Sequence, residues 1–166
     1  MKKMVFAAVV LILATTVVCS PALATIEVEG DVYVGVYDKY LWRGFDLSGS
    51  KAVAQGGADF TAAGFTLSYW TNVQLSGDEG DMFRSGEATE NDLVLDYSLD
   101  LTDMVSMSVG NIYYMLDGDY EDLPDTNELY LSLSLNTIFE PSFTVYYDWD
   151  EADESGLFIV ATIGHS

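Results

Sequence analysis

Cysteine, histidine and positive charge are nearly missing from this sequence, and each scarcity removes a class of function. Of 166 residues one is cysteine, Cys19, and it stands in the apolar run near the amino terminus. A chain that loses that run keeps no thiol, so disulfide staples and thiolate chemistry are excluded. Lysine and arginine number 6 against 27 acids, a formal charge of −21. Nucleic acid needs a basic footprint to neutralise phosphates, so it is excluded as a partner. The lone histidine, His165, is next to Ser166 at the chain end. It has no recognisable nucleophile or orienting group at useful spacing, so the chain reads as a non-enzyme. No low-complexity tract or linker divides it, and no second domain is expected.

The amino terminus is an export signal. Lys2 and Lys3 form a basic start, Met4–Val18 is apolar, and Pro21-Ala22-Leu23-Ala24 supplies a breaker and an A-x-A site. Residues 1–24 therefore read as a signal peptide and 25–166 as the mature domain. The apolar run falls short of the ~20 residues of a membrane-spanning helix. Val18 before Cys19 is too large for a lipoprotein site. The mature chain keeps four basic residues (Lys39, Arg43, Lys51, Arg84) against 27 acids, a formal charge of −23. Such acidity can accompany disorder, but a disordered chain is poor in aromatics. Here there are 11 Tyr, 8 Phe and 3 Trp.

The ordered part alternates. In Gly64–Leu75, Phe65, Leu67, Tyr69 and Val73 share one parity, and Thr66, Ser68, Trp70, Asn72 and Gln74 the other. A strand sends successive side chains to opposite faces, so this is a ribbon with one apolar and one polar side. Its length suits the roughly 9–11 residues of a tilted transmembrane strand. Seven further segments are predicted as strands: Asp31–Arg43, Ala52–Phe60, Asp92–Leu101, Met104–Met115, Glu128–Thr137, Ser142–Asp150 and Gly156–Ser166. In the first, Val32, Val34, Val36, Tyr40 and Trp42 are placed on the apolar face, which Asp38 interrupts. In the second, Gly56 and Gly57 suggest a bend. Short connections (Thr61–Gly64, Thr102–Asp103, Ile138–Pro141) alternate with long ones (Gly44–Lys51, Ser76–Asn91, Leu116–Asn127, Glu151–Gly156). Tight turns on one side and long loops on the other mark an outer-membrane barrel. A soluble sandwich or lipocalin-like barrel also alternates, with its apolar face inward. Against it, the polar positions are mostly small and neutral, and aromatics recur near strand ends as a girdle would. The expected fold is all-β: an antiparallel transmembrane β-barrel with eight strands visible, in the outer membrane of a Gram-negative bacterium.

Several motifs carry a family resemblance. Tyr40-Leu41-Trp42-Arg43-Gly44-Phe45-Asp46-Leu47-Ser48, Gln55-Gly56-Gly57, Gly64-Phe65 and Trp70-Thr71-Asn72-Val73 resemble the Y-x-x-R-G-x-x-x-S, Q-G-G and G-F…W-x-S-N-V signatures of the TorF-family porins. These are a proteobacterial group of Gcw-type conserved hypothetical outer-membrane proteins. The match covers roughly the first half of the mature chain, and the rest agrees in strand rhythm. Thr71 alone separates Trp70 from Asn72, where the family has two small residues. The resemblance implies an outer-membrane barrel without catalytic residues. The chain is shorter than the family's usual length and Ser166 is not a terminal aromatic, so it is expected to lack its last strands.

Lys39, Arg43, Asp59, Trp70, Asn72, Asp96, Asp100 and Asp148 are the candidate lumen residues. Lys39 and Arg43, on the polar parity of the first predicted strand, face the acids across a pore constriction or else lock a plugged barrel with internal salt bridges. The interior of a barrel of about eight strands is just filled by side chains, which favours the plug; more strands favour the pore. Asp117, Asp119, Glu121, Asp125 and Glu128 fall at EF-hand spacing. Asp122 stands where glycine is required and the flanks read as strands, so no metal site and no cofactor are called. The expected function is a porin-like passive channel for small solutes or ions with weak cation preference; the alternative is a plugged structural or surface-interaction barrel with acidic external loops. Its partners are outer-membrane lipid and small solutes or ions.

Overall fold

A computed structural model of the protein describes residues 26–77, 83–116, 124–152 and 156–164. The predicted leader lies outside these residues, as do His165 and many loop acids, including Asp78, Glu79, Asp81, Asp117, Asp119, Glu121 and Asp122. Among the described residues there is no helix. The elements are β1 (Val28–Tyr37), β2 (Leu41–Trp42), β3 (Phe45–Asp46), β4 (Val53–Ala62), β5 (Phe65–Gln74), β6 (Ala88–Thr102), β7 (Val105–Leu116), β8 (Thr126–Leu135), β9 (Ser142–Asp148) and β10 (Gly156–Thr162).

Eight of these form one antiparallel sheet in the order β1-β4-β5-β6-β7-β8-β9-β10, and β2 and β3 pair only with each other. Each main strand thus lies beside its chain neighbour, an up-and-down meander into which the β2–β3 hairpin is inserted between β1 and β4. Closing a sheet into a barrel requires its two edge strands to exchange ladder bonds. Among the described residues β1 pairs only with β4 and β10 only with β9, so the sheet is open. The eight expected strands are present; the closed ring is not.

The pleat sorts the side chains cleanly. Register puts Asp59, Ser68, Val94, Ile112, Glu128, Tyr146 and Phe158 on the face that carries the hairpin, here the inner face. Leu67, Leu95, Val109, Leu131, Phe143 and Ile159 take the outer face, and all are exposed. The turns follow residue type. Ala63 and Gly64 both have positive φ, 51° and 84°, between β4 and β5, as two-residue hairpins require. Between β6 and β7 the Thr102 hydroxyl accepts from the Met104 and Val105 amides at 3.2 and 3.1 Å.

Three predicted details change. The first strand ends at Tyr37, not Arg43, and Asp38 lies in the bend that follows, which explains the break in its apolar parity. Tyr40 and Trp42 consequently leave the outer face and pack inside. No bulge interrupts β4 at Gly56-Gly57, where it keeps continuous register with both neighbours. What Gly57 supplies is room: a Cβ there would sit 2.5 Å from the Tyr33 hydroxyl. Finally, β6 begins at Ala88 rather than Asp92, shortening the connection before it.

Candidate functional site

The hairpin β2–β3 turns at Arg43 and Gly44, with φ of 49° and 90°. This two-residue turn needs positive φ at both centres, which glycine and asparagine accept readily and arginine does not. Its base is tied down by Asp46, which accepts from the Ser48 amide and hydroxyl at 3.0 Å each and from the Ser50 hydroxyl at 2.7 Å. Those bonds stabilise the carboxylate and hold the Asp46 pKa down at about 2. Gln74 of β5, fully buried, donates to the Ser48 carbonyl at 3.1 Å and clips the hairpin to the sheet.

From the tip, the Arg43 guanidinium makes a two-pronged pair with Glu128 of β8, Nη1 to Oε1 at 2.7 Å and Nη2 to Oε2 at 2.6 Å. The Tyr114 hydroxyl donates to the same Oε2 at 2.9 Å. Three rings surround the cation, with centroids 4.2 Å (Phe158), 4.3 Å (Trp42) and 4.8 Å (Tyr146) from its central carbon. Flat rings attract a cation through their quadrupoles, and the planar fork suits a carboxylate. Burial pulls the guanidinium pKa down, and the Glu128 bonds and charge outweigh this, leaving it raised. Side-chain exposure is only 14% for Arg43 and 6% for Glu128, so the pair is largely withdrawn from water.

Beside the cage lies a cavity of about 310 Å³ lined by Tyr40, Trp42, Phe83, Glu90, Tyr114 and Glu128, among others. Tyr40, buried against the Trp70 ring at 5.5 Å, has its phenol pushed far above its usual range by burial and the neighbouring Glu90. Deeper along the inner face, Asp96 accepts from the hydroxyls of Ser98 (2.6 Å), Ser108 and Tyr130. Gly110 makes that reach possible, because a Cβ there would overlap the Tyr130 ring. At the turn end Asp100 accepts from Ser106 at 2.6 Å, and hydroxyl pairs Thr61–Thr66 and Ser132–Thr144 close at 2.8 Å.

Residues 22–157 match the family described as a bacterial protein of unknown function (Gcw_chp). The chain belongs to that family. No curated protein and no solved structure gives a match.

In this Gcw_chp chain the predicted lumen residues have distinct fates. Asp59, Trp70, Asn72, Asp96, Asp100 and Asp148 lie on the inner face of β4, β5, β6 and β9. Asn72 is fully buried, accepting from Gln55 at 3.1 Å and donating to Thr89 at 2.7 Å. Asp148 accepts the Thr126 hydroxyl at 2.9 Å. Lys39 and Arg43 do not share a strand face: Lys39 is in the bend after β1 and Arg43 at the hairpin tip. Arg43 pairs with Glu128, not with any of the four aspartates expected. Glu128, Tyr114, Tyr146 and Phe158 were missed. A usable signal existed, since Glu128 shares the parity of Tyr130, Ser132 and Ser134. The EF-hand spacing dissolves in the two members described: Glu128 points inward to Arg43, while Asp125 receives the Tyr113 hydroxyl on the other face at 2.6 Å.

Proposed function

We propose that this protein is an outer-membrane β-barrel of the TorF porin type that passes small solutes or ions passively, with weak preference for cations. One observation carries the reading: apolar side chains stand exposed on the outer face of β1 and of every strand from β5 to β10, aliphatic on all of these but β9, where Phe143 and Tyr147 take their place. Val32 and Val34 are 79% and 83% exposed, and the aliphatic series runs through Leu67, Leu95, Leu131 and Ile159. A soluble monomer exposes apolar patches of a few hundred Å² at most, whereas a barrel wall in lipid requires a continuous band. Aromatics flank the band: Tyr69, Tyr113, Tyr147 and Trp149 towards the loops, Phe60, Phe65, Phe139 and Phe143 towards the turns. Amphipathic rings favour membrane interfaces. Export through the leader and closure of the β1 and β10 edges complete this reading.

Carboxylates on the inner face outnumber the cations there, and a passage lined by one sign of charge concentrates the opposite ion. In a planar bilayer under a salt gradient, the refolded protein should give a reversal potential of cation-selective sign at low salt. The preference should fade near ~1 M as the Debye length shrinks to about 3 Å. An anion-selective potential overturns the charge argument. A plugged barrel is the second reading, favoured by the hairpin on the inner face, and it predicts no conductance.

A further inference from the structure

We propose that the ring of Glu128, Tyr114, Tyr146 and Phe158 is a recognition subsite for guanidinium-bearing solutes, and that Arg43 is its tethered occupant, delivered together with the Trp42 ring. This rests on the inner face being a lumen that solutes reach. The argument begins with what the cage holds. A carboxylate offers both oxygens to one guanidinium, at 2.6 and 2.7 Å, and three rings close around it. A planar fork satisfies both demands together; an ammonium is a compact point charge that cannot span both oxygens or stack. The fixed parts come from four separate strands: Tyr114 on β7, Glu128 on β8, Tyr146 on β9 and Phe158 on β10. Only Arg43 and Trp42 arrive on the hairpin. The receptor side is therefore built into the sheet, while the cation is delivered on a two-residue turn.

That turn is strained at the delivering residue, because Arg43 holds a φ of 49° that L side chains adopt reluctantly. Hairpin detachment relieves this strain, which favours exchange. The 310 Å³ cavity, sharing Trp42, Tyr114 and Glu128 with the cage, gives an incoming solute room beside the occupant. Tethering sets the competition. A short linker presents its group at an effective concentration on the order of millimolar, so a free solute must exceed that level to displace Arg43. A guanidinium solute that succeeds takes Glu128 and frees the hairpin, which links recognition to opening of the loop end.

The test is chemical rescue, read by calorimetry on the full chain refolded in detergent micelles, with methylguanidinium as probe and methylammonium as control. R43A should bind one methylguanidinium per chain, at least ten-fold tighter than methylammonium, and at least ten-fold tighter than the wild type binds it. R43A combined with E128Q should lose the saturable signal. Equal binding of the two probes, or binding kept in the double variant, overturns the subsite. If R43A does not refold, R43K keeps a charge on the hairpin and serves instead. Its cage should still prefer methylguanidinium ten-fold, and absence of that preference overturns the proposal. Conductance is read separately: the rescue pattern in a non-conducting barrel would remove the porin reading and leave the subsite standing.

Discussion

At the loop end of the inner face, Arg43, Glu128, Tyr114 and Trp42 interlock across strands far apart in sequence, and Tyr40 and Trp70 pack alongside. At the turn end the same face carries Asp100, Ser106, Ser132, Thr144 and their hydroxyl pairs, all between adjacent strands. One end is held by long-range aromatic and ionic contacts, the other by short neighbour bonds. Beyond the backbone ladder the turn end has only these local bonds, so its side chains are free to be small. The loop end has the longer connections and needs the hairpin to fix it. Stability should therefore concentrate in the cage, and the turn end should tolerate change.

The sharpest way to break this contrast is E128A against D100N. Removing Glu128 leaves a guanidinium nearly out of water without its partner, a loss of about 3–5 kcal/mol. Asp100 is exposed and its single hydroxyl bond is local, so D100N should cost within about 0.5 kcal/mol. Urea titrations of the two refolded variants decide it; equal losses would erase the distinction between the ends.

A somewhat smaller effect sharpens the contrast between faces. L133R puts a charge on the exposed aliphatic side, where lipid would cost it about 2–4 kcal/mol near the midplane. S134R puts the same charge on the inner face and should cost less in the same titration. The smallest effect concerns the hairpin base. The folded pKa of Asp46 is lowered from 3.8 to about 2, so its contribution to holding the hairpin is fully present above pH ~4 and is lost as pH falls through about 2. Tryptophan emission followed between pH 5 and 1.5 should show this step, and D46N should abolish it.

How much of this was legible beforehand follows from the reach of each interaction. The strands β5, β7 and β8 were readable because aliphatic and small polar residues alternate along them at period two. The start of β6 was not, because Thr89, Glu90 and Asn91 read as loop. The first strand was overrun for the opposite reason: Tyr40 and Trp42 keep an aromatic alternation going through the turn. Arg-Gly also lacks the Asn-Gly form that would announce a two-residue hairpin. The inner-face aspartates were found by parity. The cage was not, since Arg43 and Glu128 are 85 residues apart and no local pattern joins them. At the mouth of an acidic loop, Glu128 reads as one more solvated charge.

The central claim is that the outer face lies in lipid and the inner face in water. Cys19 is the one cysteine of the sequence, so in a protein expressed from residue 25 onward single cysteines at 131, 132, 133 and 134 can each carry a nitroxide after refolding into lipid bilayers. The account predicts alternation: labels at Leu131 and Leu133 relaxed chiefly by oxygen dissolved in lipid, labels at Ser132 and Ser134 chiefly by a water-soluble nickel chelate. Chelate access at the leucines with oxygen access at the serines would contradict it, and would make this sheet the wall of a soluble protein.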